Sequence, residues 1–132
     1  MTPIERWHEV VKSRDPKALR ELLADDVVFH SPVVHTPQVG RAITEAYLLA
    51  AMQVLNNASF RYVGEWSGAD STVLEFVCTV DGIEIDGIDM IHWNAAGRID
   101  RFKVMVRPLK AIQTVHERMG QTLMRMMGGA QQ

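Results

Sequence analysis

The sequence lacks the usual marks of a secreted, membrane-spanning, metal-organised or nucleic-acid-binding chain. Cys78 is its only cysteine, so no internal disulfide can form, and no cysteine–histidine cluster has structural-zinc spacing. With 14 basic against 16 acidic side chains, there is no basic stripe of the kind that neutralises phosphates. No apolar run approaches the roughly 18 residues of a membrane span, and the opening MTPIERWHEV is too polar for a secretory leader. These absences predict a cytoplasmic protein in a reducing compartment, with no nucleic-acid or membrane partner and no cofactor or metal. Repeats, linkers and low-complexity segments are missing as well. What is there, 132 residues of which 47% are hydrophobic and 23% charged, fits one globular domain over 1–132.

Helical spacing comes first in the chain. Thr2, Pro3 and Glu5 read as a capping box with proline in the first turn, followed by Ile4, Trp7, Val10 and Val11 on one face. Asp15-Pro16 opens a second helix carrying Leu19, Leu22 and Leu23, which stops at Ala24-Asp25-Asp26. Val27 to Ser31 is a short strand ended by Pro32, and the prolines and glycine between Ser31 and Gly40 predict a loop. Arg41 to Leu55 repeats Ile43, Tyr47, Leu48, Ala51, Met52 and Leu55 along a third helix of about four turns.

The period then falls to two. Phe60–Trp66, Thr72–Val80, Ile83–Trp93 and Arg98–Arg107 read as four long strands with short connections, an antiparallel meander. Pro108 ends it, and Leu109, Ile112, Val115, Met119, Leu123 and Met126 stripe a final helix that stops at Gly128-Gly129. Helices followed by a meander give an α+β class: one curved antiparallel sheet with its concave face covered by helices.

Asp89 is the anomaly in that meander. Alternation puts it on one face with Ile85, Gly87, Ile91 and Trp93, and a four-residue loop over Asn94–Gly97 sets it opposite Phe102, with Val104 and Val106 on the same face. An acid among such neighbours, if buried, has its pKa raised by desolvation and can donate a hydrogen bond to a developing oxyanion. The alternative is a solvated acid near a strand edge. His35 lies on the Ser31–Gly40 loop, where a histidine can serve as a base near neutral pH. His30 alternates away from Phe29 and Ser31, and His92 lies on the face opposite Asp89.

The strings LLADDVVFHSP, VGRAITEAY and GIDMIHWNAAGRI, with the order of elements, resemble the NTF2-like superfamily, including ketosteroid isomerases and SnoaL-like polyketide cyclases. The resemblance spans Trp7 to about Lys110. It implies a cone: a curved antiparallel sheet wrapped around the N-terminal helices, plus the C-terminal helix. Matching the strings sets Asp89 on the protonated aspartate of the isomerases, Ser31 on their base and Trp7 on their tyrosine, so the acid alone is retained. The aspartate–arginine–aspartate set of limonene-epoxide hydrolases has no counterpart in VLEFVCTV and RIDRFKVMV. The resemblance further implies a cavity lined by Leu74, Phe76 and Cys78, with Trp7, Val11, Leu23, Ser31 and Leu48 from the helical side.

Two functions follow as expectations. One is an isomerase- or cyclase-type enzyme on a small hydrophobic carbonyl or polycyclic substrate, with Asp89 as acid or oxyanion stabiliser and Ser31 and His35 near it. The other is a noncatalytic binder of a small hydrophobic molecule or a dimeric scaffold. Ile91, Phe102, Val104 and Val106 would complete the apolar lining. Met90, His92, Met105 and Trp66 on the opposite sheet face would form a homodimer surface.

Overall fold

Two proline-started helices open the chain in the computed structural model, which describes residues 1–128. Helix α1 spans Pro3–Ser13; the Thr2 hydroxyl accepts from the Glu5 N–H, and the Glu5 carboxylate accepts from the Thr2 N–H. These bonds satisfy two of the amide donors that a helix start leaves unpaired. Helix α2 spans Pro16–Leu22, capped by Asp15 accepting from the Lys17 N–H. Strand β1 (Leu23–His30), the two-residue β2 (Gln38–Val39), helix α3 (Arg41–Leu55), strands β3 (Arg61–Ser67), β4 (Ser71–Val80), β5 (Ile83–Trp93) and β6 (Ile99–Arg107), and helix α4 (Leu109–Gly128) follow.

The six strands form one sheet in the order β2-β1-β6-β5-β4-β3. From β6 to β3 it is the expected antiparallel meander, and the β4–β5 turn has Asp81 at φ 52° and Gly82 at φ 76°. Two positive φ values in a two-residue connection give the turn whose twist matches the strands it joins. The core lies between the concave face and the helices, around Leu19, Leu22, Val27, Leu74, Ile85 and Phe102. Among the described residues, no helix is long and apolar enough to cross a membrane.

Several elements depart from the sequence reading. Strand β1 begins at Leu23 and contains Ala24-Asp25-Asp26, expected to end the second helix; an irregularity between Leu23 and Val28 leaves both acids exposed. Strand β1 runs parallel to β6, so the sheet is mixed there. The loop before α3 hides β2, which pairs with Val28 and Phe29.

The hairpin register also differs. Asp89 stands opposite Val104, Ile91 opposite Phe102, and a bulge at His92/Trp93 brings Trp93 opposite Ile99. The register moves by two residues relative to the simple loop, so Phe102, Val104 and Val106 keep the Asp89 face. Asp100 is the residue displaced: the bulge carries it to the outer face, beside His92. In α4 the buried positions are Ala111, Val115 and Thr122, with Met119 half-buried, while Leu109 and Met126 are exposed. The helix thus docks on α3 and the sheet through a face rotated from the expected stripe, with small residues allowing close approach. The Gly129 half of its expected stop lies outside the described residues.

Candidate active site

Strand β5 holds Asp89 between Leu74 of β4 and Val104 of β6, with its side chain turned under the helices. It is only 7% exposed. The hollow it enters is lined by Trp7 and Val11 of α1, Leu48, Ala51, Met52 and Leu55 of α3, and Phe60, Tyr62, Phe76, Phe102 and Val104 of the sheet side, with Asn56 at the end of α3. Its volume is about 40 Å³, room for a few waters rather than a drug-sized ligand. Val11, Ala51, Asn56 and Phe60 are half-buried, so the hollow meets solvent on their side.

One group in this apolar shell addresses the carboxyl, and a second orients it. The Trp7 Nε1–H donates to the Tyr62 hydroxyl oxygen at 3.1 Å, and the Tyr62 O–H donates to Asp89 Oδ2 at 3.3 Å. The direction is fixed because an indole can only donate, so the phenol accepts from Trp7 and sends its own hydrogen to the acid. Burial and the Tyr62 bond oppose one another at Asp89. Desolvation is the larger effect, the phenol's bond being long for an O–H···O contact, and the carboxyl is pushed up to about 7. Burial, reinforced by the charge of Asp89, raises Tyr62 and keeps it a neutral donor. At neutral pH the acid therefore exists in both forms, one oxygen held by Tyr62.

Tyr62→Phe isolates this effect. It removes the one hydrogen bond among the described residues that favours the charged carboxylate, so the Asp89 midpoint should rise above its parent value, as followed by carboxyl-selective NMR. Leaving the Trp7 N–H without its partner should also cost about 1–3 kcal/mol in urea unfolding. An unchanged midpoint would remove Tyr62 from the site.

Tyr62 escaped the sequence reading for a geometric reason. Counting back from the β3–β4 turn, where Ser67 pairs with Thr72 and Glu65 with Leu74, places Tyr62 opposite Val77 on the outer face. A bulge between Tyr62 and Gly64 shifts the ladder by one, so Tyr62 pairs with Phe76 and points inward. Phe60 follows it, stacking on Phe76 with ring centroids 5.4 Å apart.

The other expected site residues separate into groups. Trp7, Val11, Leu48, Phe76, Phe102 and Val104 share the hollow with Asp89. Leu74 and Ile91 are buried in the sheet beside it, and Leu23 is buried where β1 starts. Cys78 borders a different depression together with Arg61 and Arg107. Its thiol is pushed up to about 11 by burial, so modification by a thiol reagent at pH 8 should be slow until the chain is unfolded; rapid labelling of the folded protein would contradict this burial.

Ser31 and His35 line a separate groove that also takes in Val106. The Ser31 hydroxyl accepts from the Val33 and Val34 N–H groups, making it a turn residue. His92 is on the outer face, its Nδ1 2.5 Å from Asp100 and its Nε2 3.3 Å from Asp70; the Asp100 hydrogen bond is the main cause of its raised pKa.

A curved sheet closed by helices over one buried acid is the NTF2-like class of α+β cone. The chain belongs to the family of the SnoaL-like domain, whose profile matches residues 4–102. It is similar to a solved steroid delta-isomerase from Pseudomonas aeruginosa, at 36% identity over 96% of this chain and 92% of that one, TM-score 0.89. It is also similar to a solved protein with a cystatin-like fold from Silicibacter pomeroyi, at 33% identity over 90% and 83% of the two chains, TM-score 0.83. An NTF2-like protein from Mesorhizobium loti, 20% identical over 80% and 88% of the chains with TM-score 0.68, shares the fold. No curated protein sequence matches the chain.

Proposed function

We propose that the protein is an isomerase- or cyclase-type enzyme in which Asp89 gives a proton or hydrogen bond to the oxygen of a small hydrophobic carbonyl compound. The observation that carries this reading is a buried carboxyl, pushed up to about 7, among apolar walls and addressed by a tyrosine. A neutral acid in such a place stabilises developing negative charge on oxygen without being competed for by water. The likeness to a steroid delta-isomerase at 36% identity supports the same class. Ser31 and His35 border another groove, so Asp89 and Tyr62 are the polar groups assigned to the chemistry.

With a hollow of about 40 Å³, substrate entry requires the half-buried side chains around Asn56 and Phe60 to move. That small volume is also what favours the second reading, a noncatalytic scaffold whose outer face, with Trp66 and Met105 exposed, pairs with a second copy.

The test follows deuterium uptake next to the carbonyl of apolar cyclic ketones in D2O by proton NMR, with sedimentation giving the oligomeric state. Uptake well above the buffer rate, solvent base taking the proton from carbon while Asp89 holds the developing enolate oxygen, and lost in Asp89→Asn, is the result expected of the enzyme. Uptake at the buffer rate across such ketones, with a dimer in solution, would favour the scaffold.

A further inference from the structure

The groove that takes Ser31 and His35 away from Asp89 has a chemistry of its own. It has a volume of about 550 Å³, and its polar lining is Lys103 of β6, His30 of β1, and Ser31 and His35 of the loop that follows. Among the described residues no carboxylate lines it and no ion pair engages Lys103. Strand β1 pairs with β6 only as far as His30 and Lys103. Beyond that point, from Val104 onward, the β1-facing edge of β6 has no strand partner. An edge of this kind presents free backbone N–H groups at alternate residues, here beside the Lys103 ammonium. The remaining wall is apolar: Pro32, Val34, Pro37 and Met105.

We propose that this groove binds a small amphipathic carboxylate, its anionic end on Lys103 and the imidazoles of His30 and His35, its apolar body against Pro32, Val34 and Met105. The size is within the usual range for small-molecule sites, which combine apolar walls with a few convergent polar groups. One fixed positive charge flanked by two imidazoles suits a monoanion, whereas phosphate sites favour the arginine fork, and no arginine lines the groove. Burial is the largest cause of the lowered pKa of His30 and keeps it neutral; the positive charges of Lys103, Arg101 and His35 lower it further, and it is these that favour an anion beside it. A bound carboxylate reverses the electrostatic part, so His30 takes up a proton on binding. Affinity therefore rises as pH falls toward the imidazole range. Val104 borders both this groove and the Asp89 hollow, but the proposal does not depend on any chemistry at Asp89.

Calorimetric titration of the whole protein with 1-naphthoate tests it, against 1-naphthamide and phenyl phosphate. Naphthoate should bind and shift the His30 and His35 ring resonances, with naphthamide much weaker. Lys103→Met should weaken naphthoate about tenfold, the factor that corresponds to about 1.4 kcal/mol, while Lys103→Arg retains it. Binding should tighten between pH 7.5 and 5.5. Failure of naphthoate to bind, equal binding by the amide, or indifference to Lys103→Met in a variant with parental circular dichroism would overturn the proposal. Tighter binding of phenyl phosphate would overturn the carboxylate class.

Discussion

Asp89→Asn is expected to make the protein more stable at pH 8 and, on the proposed function, to abolish turnover. The folded carboxyl is pushed up to about 7 from an ordinary 3.8, so between those values the folded state keeps a proton that the unfolded chain has released. Stability is therefore fully present below about pH 4, declines as pH rises through the interval, and levels off above about 7. A gap of about three pH units, at about 1.4 kcal/mol each, puts the ceiling of this loss near 4 kcal/mol. Asparagine carries no charge to bury, and its carbonyl oxygen can still accept from Tyr62. Urea unfolding of the two proteins should thus diverge at pH 8 in favour of the variant and converge near pH 4. Parallel curves would mean that Asp89 is not buried as charged at neutral pH. An acid retained at such a stability cost, and lost together with turnover, is the combination expected of a functional group rather than a packing residue.

Gly87→Ala should be the most damaging small change on the same strand. A methyl at Gly87 would lie 2.4 Å from Phe76 Cζ, 2.8 Å from its Cε2 and 3.0 Å from the Met105 carbonyl oxygen. Phe76 cannot swing away cheaply, because it is 2% exposed and stacked on Phe60. Backbone at Met105 is no freer, being paired within the β5–β6 ladder. Overpacking of this kind costs about 1–3 kcal/mol, and the two-sided clash argues for the upper end. The midpoint of urea unfolding should drop accordingly. Gly87→Ala combined with Phe76→Leu should recover part of the loss, since only the Met105 contact remains. A neutral Gly87→Ala would contradict the close packing of β4 on β5 at this level.

How much the sequence revealed differs from element to element, for physical reasons. Helix α3 and strand β5 were legible to the residue, since a sustained period of 3.6 or 2 bounded by glycine and asparagine leaves little freedom. The Asp89 face was legible because an error of two residues in the β5–β6 register leaves parity intact. A shift of one does not, and the β3 bulge makes such a shift at Tyr62, turning inward a side chain that hydrogen-bonds the acid and for which the sequence reading assigned no face. The string does carry one mark, Gly64 inside the strand pattern beside the bulge, but a glycine does not say which neighbour is turned to the other face. Ser31 and His35 illustrate the opposite failure. Their loop does reach the β6 edge, but Ser31 spends its oxygen on its own turn, and both residues meet Lys103 in a different depression. In α4, counting large apolar residues misjudged part of the docked face, which uses Ala111 and Thr122 for close approach and leaves Leu109 and Met126 exposed.

The central claim is that Asp89 is a buried acid poised near neutrality, and its own titration tests this most directly. Carbon-13 NMR of the aspartate carboxyl carbons, with the Asp89 resonance assigned by its absence from Asp89→Asn, should give a midpoint near 7. A midpoint near 4 would mean a solvated carboxylate, and the assignment of Asp89 as proton or hydrogen-bond donor to a substrate oxygen would fall with it.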